Sequence, residues 1–215
     1  MKYKLAIFDL DGTILNTLDD LADSLNHVLH SHSLPTHSLE EVRAMVGNGI
    51  ANLIARAVPV ETPTDLKELI YKDFMKYYSL HCADKTRPYE GILQLIKDLK
   101  ELECKTAVVS NKANSAVKIL CDKYFPGLFD FTVGEQPEIS KKPAPDMVNL
   151  VISNLDVRPD DAVYIGDSEV DIKTASNSNM DGIIVSWGFR NVSFLQEKGA
   201  KTIAYTPADI LELIK

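Results

Sequence analysis

YKLAIFDLDGT, residues 3–13, predicts the architecture of the whole chain. It begins with a short apolar run, Tyr3 to Phe8, that ends abruptly at two acidic residues and a glycine. A run of this kind is typical of a buried parallel strand that enters a loop. We therefore predict a first strand over residues 3–8, with Asp9 and Asp11 just past its carboxyl end.

Residues 16–84 predict helices and no strand. Apolar residues recur there at the spacing of a helix, starting at Leu18. Two capping-box patterns stand at predicted helix starts: Thr17 with Asp20, and Ser38 with Glu41. This segment is expected to form an all-helical domain inserted after the first strand.

From Arg87 onward the chain alternates between short apolar runs and helical patterns. Further strands are predicted at residues 106–109, 131–133, 162–165 and 183–185. One intervening helix is predicted from Lys112 to Lys123. Such alternation indicates a parallel sheet with helices on both faces. We therefore expect a doubly wound, Rossmann-like α/β core made of residues 1–15 and 85–215, with residues 16–84 as an inserted helical cap domain.

The charge balance of the chain limits its partners. Its 215 residues include 31 acidic and 23 basic side chains, for a net charge of −8. Such a surface repels phosphate backbones, so nucleic-acid binding is not expected. An anionic substrate must therefore meet a local cluster of cations or a bound metal ion.

Apolar runs and cysteines indicate a cytoplasmic protein. The apolar runs are far shorter than the ~20 residues that span a bilayer. Asp9 also interrupts the first run before it reaches the length of a signal-peptide core. Cys82, Cys104 and Cys121 are widely spaced and odd in number, so neither a disulfide framework nor a zinc site is expected. No membrane partner is expected, and both a monomer and a homodimer remain open.

Four acidic residues follow the predicted strands: Asp9, Asp11, Asp167 and Asp171. Ligands of open α/β sheets bind outside the carboxyl ends of the strands, so these side chains are expected to converge. Their mutual repulsion favours a cation among them, and Mg²⁺ prefers oxygen ligands and completes its shell with phosphate oxygens. Further donors for a phosphoryl group are available at Ser110, Asn111 and Lys142.

Asp9 and Asp11 are separated by one residue and can divide the work of phosphoryl transfer. Asp9 would serve as the nucleophile, and Asp11 as the general acid and base. The alternative is that this run is only a turn, because Asp and Gly are common turn residues. The joint presence of the other polar groups, each after a strand or before a helix, favours the chemical interpretation.

Taken together, these motifs resemble those of the haloacid dehalogenase superfamily, in order along the chain. The matching segments are Phe8 to Thr13, Ser110-Asn111, Lys142, and Gly166 to Asp171. The resemblance implies that Asp9 and Asp11 are catalytic and that Mg²⁺ is the cofactor. It also implies that the metal ligands are Asp9, Asp11 and Asp167, supported by Ser168 and Asp171. The phosphate-binding residues that it implies are Thr13, Ser110, Asn111 and Lys142.

The helical insertion resembles the small cap domain found in part of this superfamily. Gly47-Asn48-Gly49 in the insertion and Ser186 to Arg190 near the end most resemble phosphoglycolate phosphatases. That resemblance implies a magnesium-dependent phosphatase acting on a small phosphorylated metabolite through an aspartyl phosphate. Cap residues Arg43, Gly47, Asn48 and Gly49 are then expected to set specificity, with Arg190 as the alternative contact.

Other activities remain open for a chain with these motifs. Asp11 disfavours dehalogenases and phosphonatases, which lack an aspartate at that position. β-Phosphoglucomutases share it, although they usually carry an acidic residue where this chain has Gly166. Pyrophosphatases and sugar phosphatases also resemble the chain. A non-enzymatic phospho-receiver is disfavoured, because its phospho-accepting aspartate follows a middle strand and the strand before Asn111 supplies none.

Two weaker signals have ordinary explanations. Four histidines lie close together in sequence, at His27, His30, His32 and His37, which could suggest a transition-metal site. They straddle a predicted helix end and a turn, where polar residues are expected in any case. Trp187 and Phe189 could stack on a substrate, but packing explains them at least as well.

Overall fold

The computed structural model describes residues 1–47 and 49–215. The chain folds into two units: one comprises Met1–Leu15 and Pro88–Lys215, and the other comprises Asn16–Arg87. The second unit consists mainly of helices. This unit ends at residue 87, whereas the sequence predicted an end at residue 84.

The strands define a parallel sheet and a small second sheet. They are β1 (Leu5–Phe8), β2 (Leu15–Asn16), β3 (Arg87–Pro88), β4 (Lys105–Ala113), β5 (Phe131–Glu135), β6 (Ala162–Gly166), β7 (Asp181–Val185) and β8 (Ile203–Ala204). Among the described residues, six strands form the main sheet in the order β5-β4-β1-β6-β7-β8, and each neighbouring pair is parallel. β2 and β3 form the second sheet.

The strand order places a topological switch point at β1. From β1 the chain moves to β4 and β5 on one side, then returns to β6 on the other side. All four residues of β1 are fully buried, because helices cover both faces of the sheet. The carboxyl ends of β4, β1 and β6 therefore lie side by side, where ligands of such sheets bind. The predicted α/β fold class is confirmed.

Helices make up most of the remaining structure. They are α1 (Leu18–Ser31), α2 (Leu39–Met45), α3 (Ile50–Ala57), α4 (Thr64–His81), α5 (Ile92–Glu101), α6 (Asn114–Tyr124), α7 (Asp146–Leu155), α8 (Glu169–Asn177), α9 (Val192–Glu197) and α10 (Pro207–Ile214), with a short 3₁₀ turn at Pro159–Asp161. Throughout the described ranges, each helix is too short or too polar to cross a membrane.

The helix predicted from Lys112 is wrong at its start. β4 continues through Lys112 to Ala113, and α6 begins only at Asn114. Ala113 pairs with Glu135 of β5 after a register shift, and the Asn114 side chain accepts a hydrogen bond from the backbone of Gly134 (3.0 Å). Pairing with a neighbouring strand therefore extends β4 beyond the end of its apolar run.

One of the two predicted capping boxes is confirmed and the other is wrong. Ser38 and Glu41 exchange the expected hydrogen bonds at the start of α2. Thr17 makes no cap hydrogen bond to α1. Asp20 instead accepts from the backbone amides of Lys85 and Thr86, at 2.8 Å each. The Asp20 carboxylate therefore binds backbone amides that are distant in sequence instead of capping α1.

Candidate active site

Polar residues at the carboxyl ends of three adjacent strands lie together at one edge of the main sheet. Asp9 follows β1, and Ser110 and Lys112 lie in the last part of β4. Asp167 follows β6, while Lys142 comes from the loop between β5 and α7. Parallel strands end at the same edge, so residues far apart in sequence meet there.

Lys142 is the buried centre of this group. Its Nζ donates to Asp9 Oδ1 (2.8 Å), to Asp171 Oδ1 (2.9 Å) and to the Tyr164 hydroxyl (3.0 Å). Burial alone would lower the pKa of the Lys142 ammonium, but the charges of Asp171 and Asp9 outweigh it and raise that pKa well above its usual range. Lys142 is therefore a fixed positive charge beside the end of β1.

Three buried carboxylates lie close together, and two of them, Asp9 and Asp171, contact this lysine. Asp9, Asp167 and Asp171 each place an oxygen within 4.8 Å of the others. Burial raises the pKa of Asp9 to about 7, with Lys142 opposing the shift and Asp171 adding to it. Burial, with the charges of Asp171 and Asp9, also raises the pKa of Asp167 well above its usual range. Joint ionisation of Asp9 and Asp167 is therefore unfavourable without a further cation beside them.

Asp171 is held by protein donors on both of its oxygens. Oδ1 accepts from Lys142, while Oδ2 accepts from the Ser168 hydroxyl and from the backbone amides of Asp167 (3.2 Å) and Ser168 (3.1 Å). Ser168 and Asp171 also form the capping box of α8. Asp171 thus fixes its neighbours, and Asp9 and Asp167 are better placed to bind a metal ion.

The charge and chemistry of the cluster fit a divalent cation. Its ionisable groups are Asp9, Asp11, Asp167, Asp171, Lys112 and Lys142. When all are ionised, two negative charges remain unbalanced within this set. Mg²⁺ prefers oxygen ligands and binds through few carboxylates. Within residues 1–47 and 49–215 no other cluster of His, Cys, Asp and Glu side chains has comparable spacing, and the four neighbouring histidines do not form one.

Asp11 forms an ion pair with Lys112. The Lys112 Nζ lies 2.9 Å from Asp11 Oδ1 and 3.2 Å from Oδ2. The lysine side chain is 3% exposed, and that of Asp11 is 21% exposed. The structure therefore places the Asp11 carboxylate on a lysine, whereas the close carboxylate cluster consists of Asp9, Asp167 and Asp171.

Three predicted phosphate-binding residues have distinct surroundings. The Asn111 amide donates to the carbonyl of Lys142 (3.0 Å) and accepts from its backbone N–H (2.8 Å), so Asn111 anchors the Lys142 loop. The Ser110 hydroxyl accepts from the backbone N–H of Lys112 (3.3 Å). Thr13 is fully buried, and its hydroxyl has no hydrogen-bond partner among the described residues.

The loop after β7 supports Asp167. The backbone N–H of Phe189 donates to Asp167 Oδ2 at 2.7 Å. A Cβ on Gly188 would lie 2.2 Å from the Asp167 side chain, and a Cβ on Gly12, whose φ is +84°, would lie 2.4 Å from Asp167 Oδ2. Close approach of both backbones to this carboxylate therefore requires glycine at both positions. Trp187 is also anchored, through its Nε1, to the carbonyl of Thr13 (3.0 Å).

Comparisons with known proteins agree with this geometry. Residues 6–185 match the haloacid dehalogenase-like hydrolase family. The chain belongs to this family. Curated relatives include a phosphoglycolate phosphatase from Caulobacter vibrioides, 30% identical over 94% of this chain and 87% of that protein. A second, from Psychrobacter arcticus, is 33% identical over 88% of this chain and 86% of that protein.

A solved structure extends the similarity over the full length. It is that of a Lactobacillus delbrueckii subsp. bulgaricus protein provisionally named a phosphoglycolate phosphatase. That protein is 42% identical, with a TM-score of 0.96, covering 100% of this chain and 99% of the other. The predicted membership of the haloacid dehalogenase superfamily and the predicted phosphoric monoester hydrolase class are thereby confirmed.

The cap residues predicted to set specificity belong to the helical unit of this hydrolase. Arg43 lies in the last turn of α2, and Gly49 precedes α3 with a φ of +85°. Gly47 has a φ of +114°, and its carbonyl accepts from Arg56 (3.2 Å). Asn48 lies outside the described residues. Arg190, the alternative contact, pairs with Glu169 at 3.3 Å.

Sequence reasoning missed three contributors to the site. Lys112 was assigned to a helix, although alternation along an extended β4 would have placed it on the same face as Ser110. Tyr164 looked like an ordinary strand residue, yet its hydroxyl contacts Lys142. Gly188 lies in the Ser186 to Arg190 motif, but the motif does not reveal its role, because that role depends on Asp167, which is distant in sequence.

The raised pKa of Asp9 predicts a pH-dependent effect of Mg²⁺ on stability. In the metal-free protein the folded state holds this proton more tightly than the unfolded chain, so the free energy of unfolding falls as pH rises from about 4 to about 7. A Mg²⁺ ion held by the ionised carboxylate would reverse this loss. Thermal denaturation with Mg²⁺ or with chelator should show a larger Tm gain at about pH 8 than at about pH 5.5.

The variant Asp9→Asn serves as the control for this measurement. It removes the titrating group, so the difference between the two pH values should shrink. An equal Mg²⁺-induced Tm gain at both pH values in the unmodified protein would contradict the prediction.

Proposed function

We propose that this hydrolase is a magnesium-dependent phosphatase that removes the phosphoryl group of a small phosphomonoester through a phosphorylated Asp9. The observation that carries the proposal is the buried cluster of Asp9, Asp167 and Asp171 at the switch point of the sheet, with Lys142 in contact with Asp9 and Asp171. Asp9 and Asp167 are the side chains proposed to hold Mg²⁺. When bound, the ion would neutralise charge on the carboxylates and on the transferring phosphoryl group.

The protein groups have separate roles in the first half-reaction. An Asp9 carboxylate oxygen attacks phosphorus, the bond from phosphorus to the leaving oxygen breaks, and the electron pair stays on that oxygen. Asp11 is proposed to supply the proton that this oxygen takes up. Lys142 keeps a positive charge beside Asp9, and Asn111 fixes the Lys142 loop.

Water completes the reaction in the second half. Its oxygen bonds to phosphorus, the bond between phosphorus and Asp9 breaks, and the Asp11 carboxylate takes the proton from water. Ser110 and Thr13 are also proposed to help bind the phosphoryl group. The full burial of Thr13 favours a supporting role for its side chain over direct contact with substrate.

A small carboxylated phosphate ester such as phosphoglycolate is the proposed substrate class. Support comes from the curated relatives, which are phosphoglycolate phosphatases. The net charge of −8 argues that an anionic substrate binds through local cations and Mg²⁺. The proposal includes a cytoplasmic location and no macromolecular partner other than a second copy of the chain.

A phosphate-release screen tests the proposed function. Purified protein would be incubated with a panel of phosphorylated metabolites, including phosphoglycolate, sugar phosphates and pyrophosphate, with Mg²⁺ or with chelator. Release from phosphoglycolate that depends on Mg²⁺ supports the proposal. Preference for pyrophosphate, or conversion of a sugar phosphate to its isomer without phosphate release, would replace it with one of the alternative activities.

Substitution of the cap arginine should alter specificity. Arg43→Ala is expected to lower kcat/KM for phosphoglycolate by roughly 10- to 100-fold, in line with ~1.5–3 kcal/mol for a charged hydrogen bond. Turnover of p-nitrophenyl phosphate, which lacks the carboxylate, should hardly change. Steady-state kinetics on both substrates decides the matter: equal losses, or none, would move the specificity role to another residue, and Arg190→Ala is the next variant to compare.

A further inference from the structure

We infer that Lys112 is a positioning residue that holds the Asp11 carboxylate away from the metal site, so that Asp11 remains available for proton transfer. The inference rests on the proposed function. Its basis is the two-point contact of the Lys112 ammonium with Asp11, at 2.9 and 3.2 Å.

The fold fixes the position of Lys112 in this contact. Lys112 lies in the extension of β4 that pairs with β5, and its side chain is 3% exposed. Lysine is seldom buried unless it is paired, because transfer of an ammonium out of water is unfavourable. A buried ammonium on a paired strand is therefore a fixed point to which the more exposed Asp11 carboxylate is attached.

Without this lysine, Asp11 would have a competing partner. Asp11 lies only two residues after Asp9, which is proposed to hold Mg²⁺. A divalent cation bound by Asp9 and Asp167 would attract the carboxylate of an unrestrained Asp11. An Asp11 drawn onto the ion would bind it well but would no longer face the leaving oxygen or the attacking water.

The two buried lysines therefore differ in what they hold. Lys142 contacts Asp9 and Asp171, which belong to the carboxylate cluster. Lys112 contacts Asp11. The proposed role of Asp11 in proton transfer requires that its carboxylate oxygens do not coordinate the ion. Substitution of Lys112 should therefore lower kcat without weakening metal binding. Substitution of a merely structural residue would weaken both.

The test combines metal binding with a double-mutant cycle. Lys112→Met is expected to bind Mg²⁺, measured by calorimetry without substrate, as tightly as the unmodified protein or several-fold more tightly. Its kcat on an alkyl phosphate should fall by roughly 10- to 100-fold with little change in KM, and less on an aryl phosphate. In an Asp11→Asn background, Lys112→Met should cost less than about threefold, because it acts through Asp11.

A matched control is Lys100→Met. Lys100 forms a partly exposed ion pair with Asp130 at 3.2 Å, and Asp130 accepts from Thr106 near the start of β4, away from the carboxyl ends of the strands. This variant should leave both metal affinity and kcat unchanged. Lys112→Gln, which retains a polar end, provides a second replacement if the methionine variant unfolds.

Each result is decisive. Metal binding that weakens in parallel with kcat, or a full Lys112→Met effect in the Asp11→Asn background, would overturn the inference and leave the proposed function intact. If the unmodified protein released no phosphate from any substrate with Mg²⁺, the proposed function itself would fail.

Discussion

Asp9→Asn is expected to lower kcat by at least ~10³-fold, because it removes the group proposed to form the covalent bond to phosphorus. A phosphorylated enzyme should be trapped by acid quench from the unmodified protein but not from the variant. The substitution also removes one proposed metal ligand, so Mg²⁺ affinity measured by calorimetry should fall. Asparagine is close in size to aspartate, so the protein should remain folded.

Asp160→Asn provides the matched control for this experiment. Asp160 is an exposed aspartate that pairs with Arg158 at 3.0 Å. The same chemical change should therefore have no effect on turnover there. If pure Asp9→Asn retained even a tenth of the unmodified kcat, the aspartyl-phosphate route would be wrong.

Asp11→Asn is expected to produce the second largest loss, since general acid–base help is typically worth ~10²–10⁴-fold. An alkyl leaving oxygen needs a proton more than an aryl oxygen does. In single-turnover experiments the variant should therefore form phosphorylated enzyme much more slowly from alkyl than from aryl phosphates. With an aryl phosphate it should release one equivalent of phenol and then stall, because Asp11 is also proposed to activate water.

Leaving-group dependence separates this role from a general loss of structure. Equal losses with alkyl and aryl substrates would remove Asp11 from the acid role. Absence of accumulated phosphorylated enzyme with the aryl substrate would remove it from the base role.

Local sequence was sufficient for the order of β1, β4, β5, β6 and β7 along the chain and for the motifs. The apolar run before Asp9 predicted β1 because a strand buried on both faces needs apolar residues at every position. The capping box of Ser38 and Glu41 was predictable because its partners are three residues apart. Family membership followed from motifs whose members are close in sequence, such as Gly166 to Asp171.

Contacts between residues distant in sequence explain the errors in the predicted cap and in the predicted helix start. Asp20 fitted a cap pattern, but the amides of Lys85 and Thr86 take its carboxylate. Lys112 was predicted to begin a helix, but pairing with β5 extends β4 through it. In both cases a tertiary contact outweighed a local preference. Sequence periodicity alone does not reveal such a contact.

The sequence by itself determined which side chains would follow the strands and therefore which chemistry was available: carboxylates, a lysine and small hydrogen-bonding groups. Only the tertiary structure decided how these groups are paired. Lys142 meets Asp9 and Asp171, Lys112 meets Asp11, and the Phe189 amide meets Asp167. The physical reason is that pairing, burial and the resulting pKa shifts depend on distances between strands, and those distances are set by the packed sheet.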